Sequence, residues 1–181
     1  MNYLSKESIC KISTILIFLL FSKICEGQIT AASSGNWSSP STWVGGIVPG
    51  DGDVVIINTP NNVTISVAET HNANITGSGI LTVQNVLSIN SNISISVSTL
   101  NNIIEITGTG TKTYNSGVTI NNTNGTLGGG EHILSNGAIL NSITFTIISS
   151  TTLTNHGVFN LQSGNVSGTS NNTFFVNESD G

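Results

Sequence analysis

The sequence predicts an all-β chain wound as a right-handed parallel β-helix. Three observations predict it. Asn (24), Ser (25), Thr (23) and Gly (20) make up half of the 181 residues, and only 7% are charged. Val, Ile and Thr are common, whereas the helix formers Ala, Glu, Lys, Arg and Leu are scarce, a balance that favours strands. Short apolar/polar alternations recur, and three of them line up twenty residues apart. Disorder is excluded, because it goes with low hydrophobicity and high net charge, and the mean hydropathy here is +0.20.

The first 27 residues read as a secretory signal peptide. Lys6 and Lys11 precede the apolar run Ile12 to Phe21. That run is too short to span a bilayer, which takes roughly 20 residues. A cationic start, a short apolar centre and small residues at the −3 and −1 positions, Cys25 and Gly27, place cleavage before Gln28. A lipoprotein signal with Cys25 lipidated is the rival reading, and Lys23 and Ile24 fit it poorly. Both cysteines, Cys10 and Cys25, lie in this segment. The mature chain is therefore expected to lack disulfides, thiol nucleophiles and thiolate metal ligands. It is expected to be secreted or held at the cell surface, with no transmembrane span after cleavage.

Residues 28–60 are expected to form an N-terminal cap and the first coil. Residues 35–57 read GNWSSPSTWVGGIVPGDGDVVII and hold the only tryptophans, Trp37 and Trp43. This stretch resembles the opening of bacterial surface proteins with right-handed parallel β-helix bodies, often exported by type IX secretion. It is also similar to the start of the eight-glycine domain of some large extracellular proteins. The resemblance implies a β-helix opening. The first coil of a solenoid has no neighbour below it, so two bulky indoles suit a lid over its apolar floor. A sugar-stacking platform is the alternative for the same pair. Asp51 and Asp53 sit in the turn Pro49-Gly-Asp-Gly-Asp53. They are the candidate ligands for calcium, which takes carboxylate and carbonyl oxygens. Carboxylates in a Pro-Gly turn also serve simply as turn formers.

Residues 61–181 are expected to form the coils. Ile80-Leu-Thr-Val83, Ile93-Ser-Ile-Ser-Val97, Val118-Thr-Ile120 and Ile143-Thr-Phe-Thr-Ile147 alternate with period two, as half-buried strands do. Asn115–Ile120, Ser135–Leu140 and Asn155–Asn160 align through Gly117, Gly137 and Gly157, twenty residues apart. A turn followed by a short strand at a fixed period is the mark of a solenoid. About 20 residues per coil gives roughly seven or eight coils for the mature chain. A strict register places Val118, Ala138 and Val158 in one core column. It places Ile120 and Leu140 in the next, which Asn160 breaks. An evenly spaced β-sandwich is the competing fold. The chain ends on the strand-like run Thr173 to Gly181, with no terminal cap, and further coils are expected to follow.

Composition excludes several function classes. From Gln28 onward there is one Lys, Lys112, against seven acids. Nucleic acid and anionic membrane surfaces both call for clustered cations. A glycosidase needs two carboxyls flanking one bond, and the register leaves Glu105 and Glu131 without an acid in their columns. His71, His132 and His156 are scattered, and no HExxH helix is present. The alternate threonines of Thr107 to Thr113 suggest an ice-binding rank, but the rank does not propagate to the next coil. Nine N-x-S/T sequons follow from composition. The expected function is therefore a non-enzymatic, adhesin-like scaffold without a cofactor. Its partners would be polysaccharide, matrix or another surface protein, met along an extended polar face. The alternative is the opening of an extracellular polysaccharide lyase or glycoside hydrolase whose catalytic coils lie downstream.

Overall fold

The computed structural model describes residues 27–162, 166–168 and 174–178. Residues 1–26 of the expected signal peptide, with Cys10 and Cys25, and residues 173 and 179–181 of the final run lie outside the described residues. The fold is a parallel β-solenoid of about six turns. All strand pairs are parallel and join successive coils, which overturns the sandwich alternative.

The coil has three faces. The first is a seven-stranded sheet. Its strands are Gly35–Asn36, Asn62–Ile65, Ile80–Val83, Thr99–Asn102, Thr119–Asn122, Ile139–Ser142 and Val158–Leu161. The other two faces merge into a twelve-stranded sheet, because Thr126–Leu134 and Phe145–Asn155 run unbroken round the corner between them. Alternation explains the packing. In Thr119–Asn122 the side chains of Ile120 and Asn122 are buried and those of Thr119 and Asn121 look outward. Stacking such strands builds one continuous core of Val, Ile and Leu, with Tyr114 and Phe145 inside it.

The register is not strictly twenty. On the first face the coil-to-coil step is 28 residues at the start, because the tryptophan segment takes the place of a second-face strand. Later steps run from 18 to 20. With this long opening turn the described residues make about six coils; the seven or eight expected is for the whole chain from Gln28 onward, part of which lies outside them.

The last step corrects the core columns. Ile139 pairs with Val158 and Leu140 with Phe159, one residue short of the strict repeat. Val118 and Ala138 are buried as expected, but Val158 is 49% exposed. Phe159 takes the inward place instead, packing between Phe145 (5.0 Å) and Phe175 (5.4 Å). The glycine alignment divides in the same way. Gly117 and Gly137 are left-handed, at φ +86° and +82°, a conformation glycine adopts without a Cβ penalty. Gly157 is needed for space: a Cβ there would lie 2.3 Å from the Ala138 carbonyl oxygen.

Both tryptophans are buried beneath the second coil, Trp37 at 0% and Trp43 at 2% exposure. Their rings meet edge to face at 5.1 Å and 76°. Trp43 Nε1 donates to the Trp37 carbonyl at 2.6 Å, and the Trp37 amide donates to Thr64 O at 2.8 Å. The pair therefore lies where the next lower coil would be. Neither ring is open for a sugar to stack on.

Candidate functional site

Two polar arrays stand out, one on the wall and one inside. The first runs up the outer side of the first face. Strand alternation puts Thr64, Thr82, Asn101, Asn121, Asn141 and Asn160 at the same outward position of six successive strands. Asn160 Nδ2 donates to Asn141 Oδ1 at 3.0 Å. Asn141 Nδ2 donates to Asn121 Oδ1 at 3.3 Å, and Asn121 Nδ2 to Asn101 Oδ1 at 3.2 Å. Asn101 Nδ2 continues to Thr82 Oγ1 at 3.3 Å, which donates to Asn62 Oδ1 at 2.9 Å. A carboxamide has two N–H donors and two lone pairs. Each inner rung spends one of each on its neighbours and keeps one of each for a ligand.

The surroundings of the ladder are neutral and partly apolar. No strand of the first face carries a charged residue. Ile104 and Ile143, at the corner beyond it, are 47% and 41% exposed. A shallow cleft of about 160 Å³ is lined by Asn121, Asn141, Thr123, Ile143 and Gln162, among others. Pockets that engulf small ligands run to roughly 300 Å³ and more, so this cleft is too shallow to enclose one.

The second array is inside. Lys112 pairs with His132 on the next coil, and both are 0% exposed. Lys112 Nζ donates to Gly108 O on its own coil and to Gly129 O, 2.8 Å away, on the next. His132 Nδ1 lies 2.9 Å from the Tyr114 hydroxyl. In the neutral ring that accepts there, Nε2 carries the proton and faces Gly128 O at 3.5 Å. Burial, then the Lys112 charge, pushes His132 down to about 3. Burial alone pushes Lys112 down to about 8 and lifts Tyr114 well above its usual 10. The three side chains fill core and tie two coils through main-chain carbonyls. They reach no solvent and hold no substrate.

The shifts carry a pH prediction. The unfolded chain keeps the Lys112 proton to about 10.5 and the folded chain only to about 8. Stability should therefore rise from pH 8 towards 10, where the Tyr114 phenol begins to oppose it. On the acid side, neutral His132 supports the fold fully above about 6.5, and that support is lost as pH falls towards 3. Urea midpoints across this range check both limbs. Lys112→Met should flatten the alkaline rise and keep the larger, burial-driven part of the acid loss.

The residues singled out in the sequence do not converge. Asp53 accepts from the amides of Gly27 (3.1 Å) and Gly50 (2.7 Å), and Asp51 accepts from the Asn72 amide (3.1 Å). Asp53 thus closes its own turn and Asp51 ties that turn to the next coil, and among the described residues no group of three or more His, Cys, Asp or Glu is placed to hold a metal ion. Glu105 lies between Val86 and Thr126, each one residue off the strict twenty-residue register. Glu131 lies beside Thr152, not Thr151, because a bulge between Gly128 and Gly130 shifts the register. Neither has an acid beside it in its column. Glu69 pairs with His71, whose ring lies 4.6 Å from Trp37 at the base of the stack. His156 lies 3.7 Å from Glu178.

Sequence reasoning passed over both arrays. Asn101, Asn121 and Asn141 stand twenty residues apart, so the ladder was visible as a column once outward positions were stacked. Lys112 was hidden by a 19-residue step from Ile93, which a strict repeat misplaces by one. Compared with known proteins, the chain matches no family model, no curated protein and no solved structure. Among the described residues no helix is long and apolar enough to cross a membrane.

Proposed function

We infer that this chain is a secreted or cell-surface scaffold, adhesin-like, whose first face holds glycans or matrix. The observation that carries the reading is the amide ladder. It offers a donor and an acceptor at regular intervals on a wall stiffened by its own side-chain bonds. One hydrogen bond is worth about 0.5–1.5 kcal/mol net, so binding rests on repetition. The signal-like start and the absence of cysteine after residue 25 support export, and the likeness of residues 35–57 to the openings of surface β-helix proteins supports the address. The chemistry asks for no cofactor.

The test is binding of the secreted full chain to a panel of cell-wall polysaccharides and extracellular-matrix preparations, read by affinity electrophoresis and pull-down. Retention on at least one class is expected. No retention on any would overturn the reading. Intact-mass measurement should find the extracellular form beginning at or near Gln28, and residues 1–27 still attached would overturn export by a cleaved signal.

A further inference from the structure

The geometry points to a specific ligand class for this face: a neutral, linear polysaccharide lying along the solenoid axis, with about one sugar per coil. The inference rests on the glycan-binding reading and narrows it.

Direction comes from the ladder. Its rungs follow the axis, and successive strands of a sheet are about 4.8 Å apart. The four carboxamide rungs from Asn101 to Asn160 therefore span about 14 Å. Each inner amide is anchored at one N–H and one lone pair, so the spare donor and acceptor recur once per coil. An extended pyranoside chain presents hydroxyl donors and acceptors once per ring along a straight line. A chain crossing at right angles would meet only one or two rungs.

Neutrality comes from charge. Lys112 is the only Lys or Arg from Gln28 onward, it is fully buried, and both its carbonyl partners lie on the inner side of the wall. The first face has no cation to meet a uronate or sulfate. The seven acids of this part of the chain would repel a polyanion at low salt. The exposed Ile143 beside the cleft suits the apolar C–H face of an unsubstituted sugar ring.

The test uses the full secreted chain and calorimetric titration with neutral linear oligosaccharides, namely the gluco-, xylo-, manno- and N-acetylglucosamine series. Oligogalacturonate and heparin fragments serve as the anionic comparison. At least one neutral series should bind, with affinity climbing per added sugar and levelling near about four units. Roughly 0.5 M salt should change it by less than about twofold. The double variant Asn121→Ala/Asn141→Ala should weaken binding by about tenfold or more, and Asn74→Ala, on a strand of the twelve-stranded sheet, should not. Because the alanine pair also removes inter-coil bonds, Asn121→Thr/Asn141→Thr keeps a hydroxyl rung like that of Thr82 and should still lose most of the affinity while melting like the parent. Neutral binding untouched by either double variant overturns the site and leaves glycan binding standing. Binding to the anionic probes alone overturns neutrality in the same limited way. Affinity that does not climb with length overturns the axial alignment. Silence from every probe, neutral and anionic, overturns the narrower inference, and the glycan reading falls with it only if the polysaccharide and matrix panel is also silent.

Discussion

Trp37→Ala should cost about 3–5 kcal/mol in urea denaturation, the usual range for truncating a buried Trp. The indole is fully buried and packs edge to face on Trp43. Such aromatic pairs are worth about 0.5–1.5 kcal/mol beyond their area. Position raises the stakes. A solenoid unit is stabilised by its neighbours, and Trp37 supplies the missing lower neighbour for the coil carrying Val63 and Ile65, both fully buried. Removing it opens an apolar end, so loss of stability should be accompanied by self-association in light scattering. Trp37 and Trp43 are the only tryptophans, so indole emission should shift to the red with the variant and follow the cap alone. A loss below about 1 kcal/mol would mean that the tryptophan segment decorates the end without closing it.

Leu140→Ala should cost about 2–5 kcal/mol, and Val158→Ala less than about 0.5 kcal/mol, as for an ordinary surface change. The contrast tests the register directly. A strict twenty-residue repeat puts Val158 in the core beside Ala138. The observed 19-residue step puts Phe159 above Leu140 and turns Val158 to solvent. Comparable losses at both positions would restore the strict repeat and remove Phe159 from the core.

The fold class was legible because burial on one face forces a period of two, and stacking forces near-constant coil length. Those two constraints act on Val118, Ile120, Ala138 and Leu140, and all four are buried. What a single chain does not display is which coil is a residue short. The step from Ile93 to Lys112 is 19 and the step from Leu134 to Asn155 is 21, and corners absorb the difference through glycines and a bulge. Composition cannot mark such corners in a chain with 20 glycines. The site was harder for another reason. A polar wall made of Asn and Thr uses the residues that also make turns, so its members differ from their neighbours only by direction, and direction is fixed by the register.

The parallel stack also has a mechanical character. Tension applied between the two ends loads every coil-to-coil seam in series, each seam holding the main-chain bonds of three faces at once. The weakest seam yields first and frees one coil. About 20 residues at about 3.4 Å each would pay out roughly 70 Å of chain per event. The extension trace of a single molecule should therefore be a sawtooth of nearly equal steps, not one rupture. One seam is riveted from inside, where the Lys112 ammonium grips carbonyls on both of its sides. A solenoid of this kind lengthens under a pull by shedding coils one at a time, and the coils still wound keep their rungs in line.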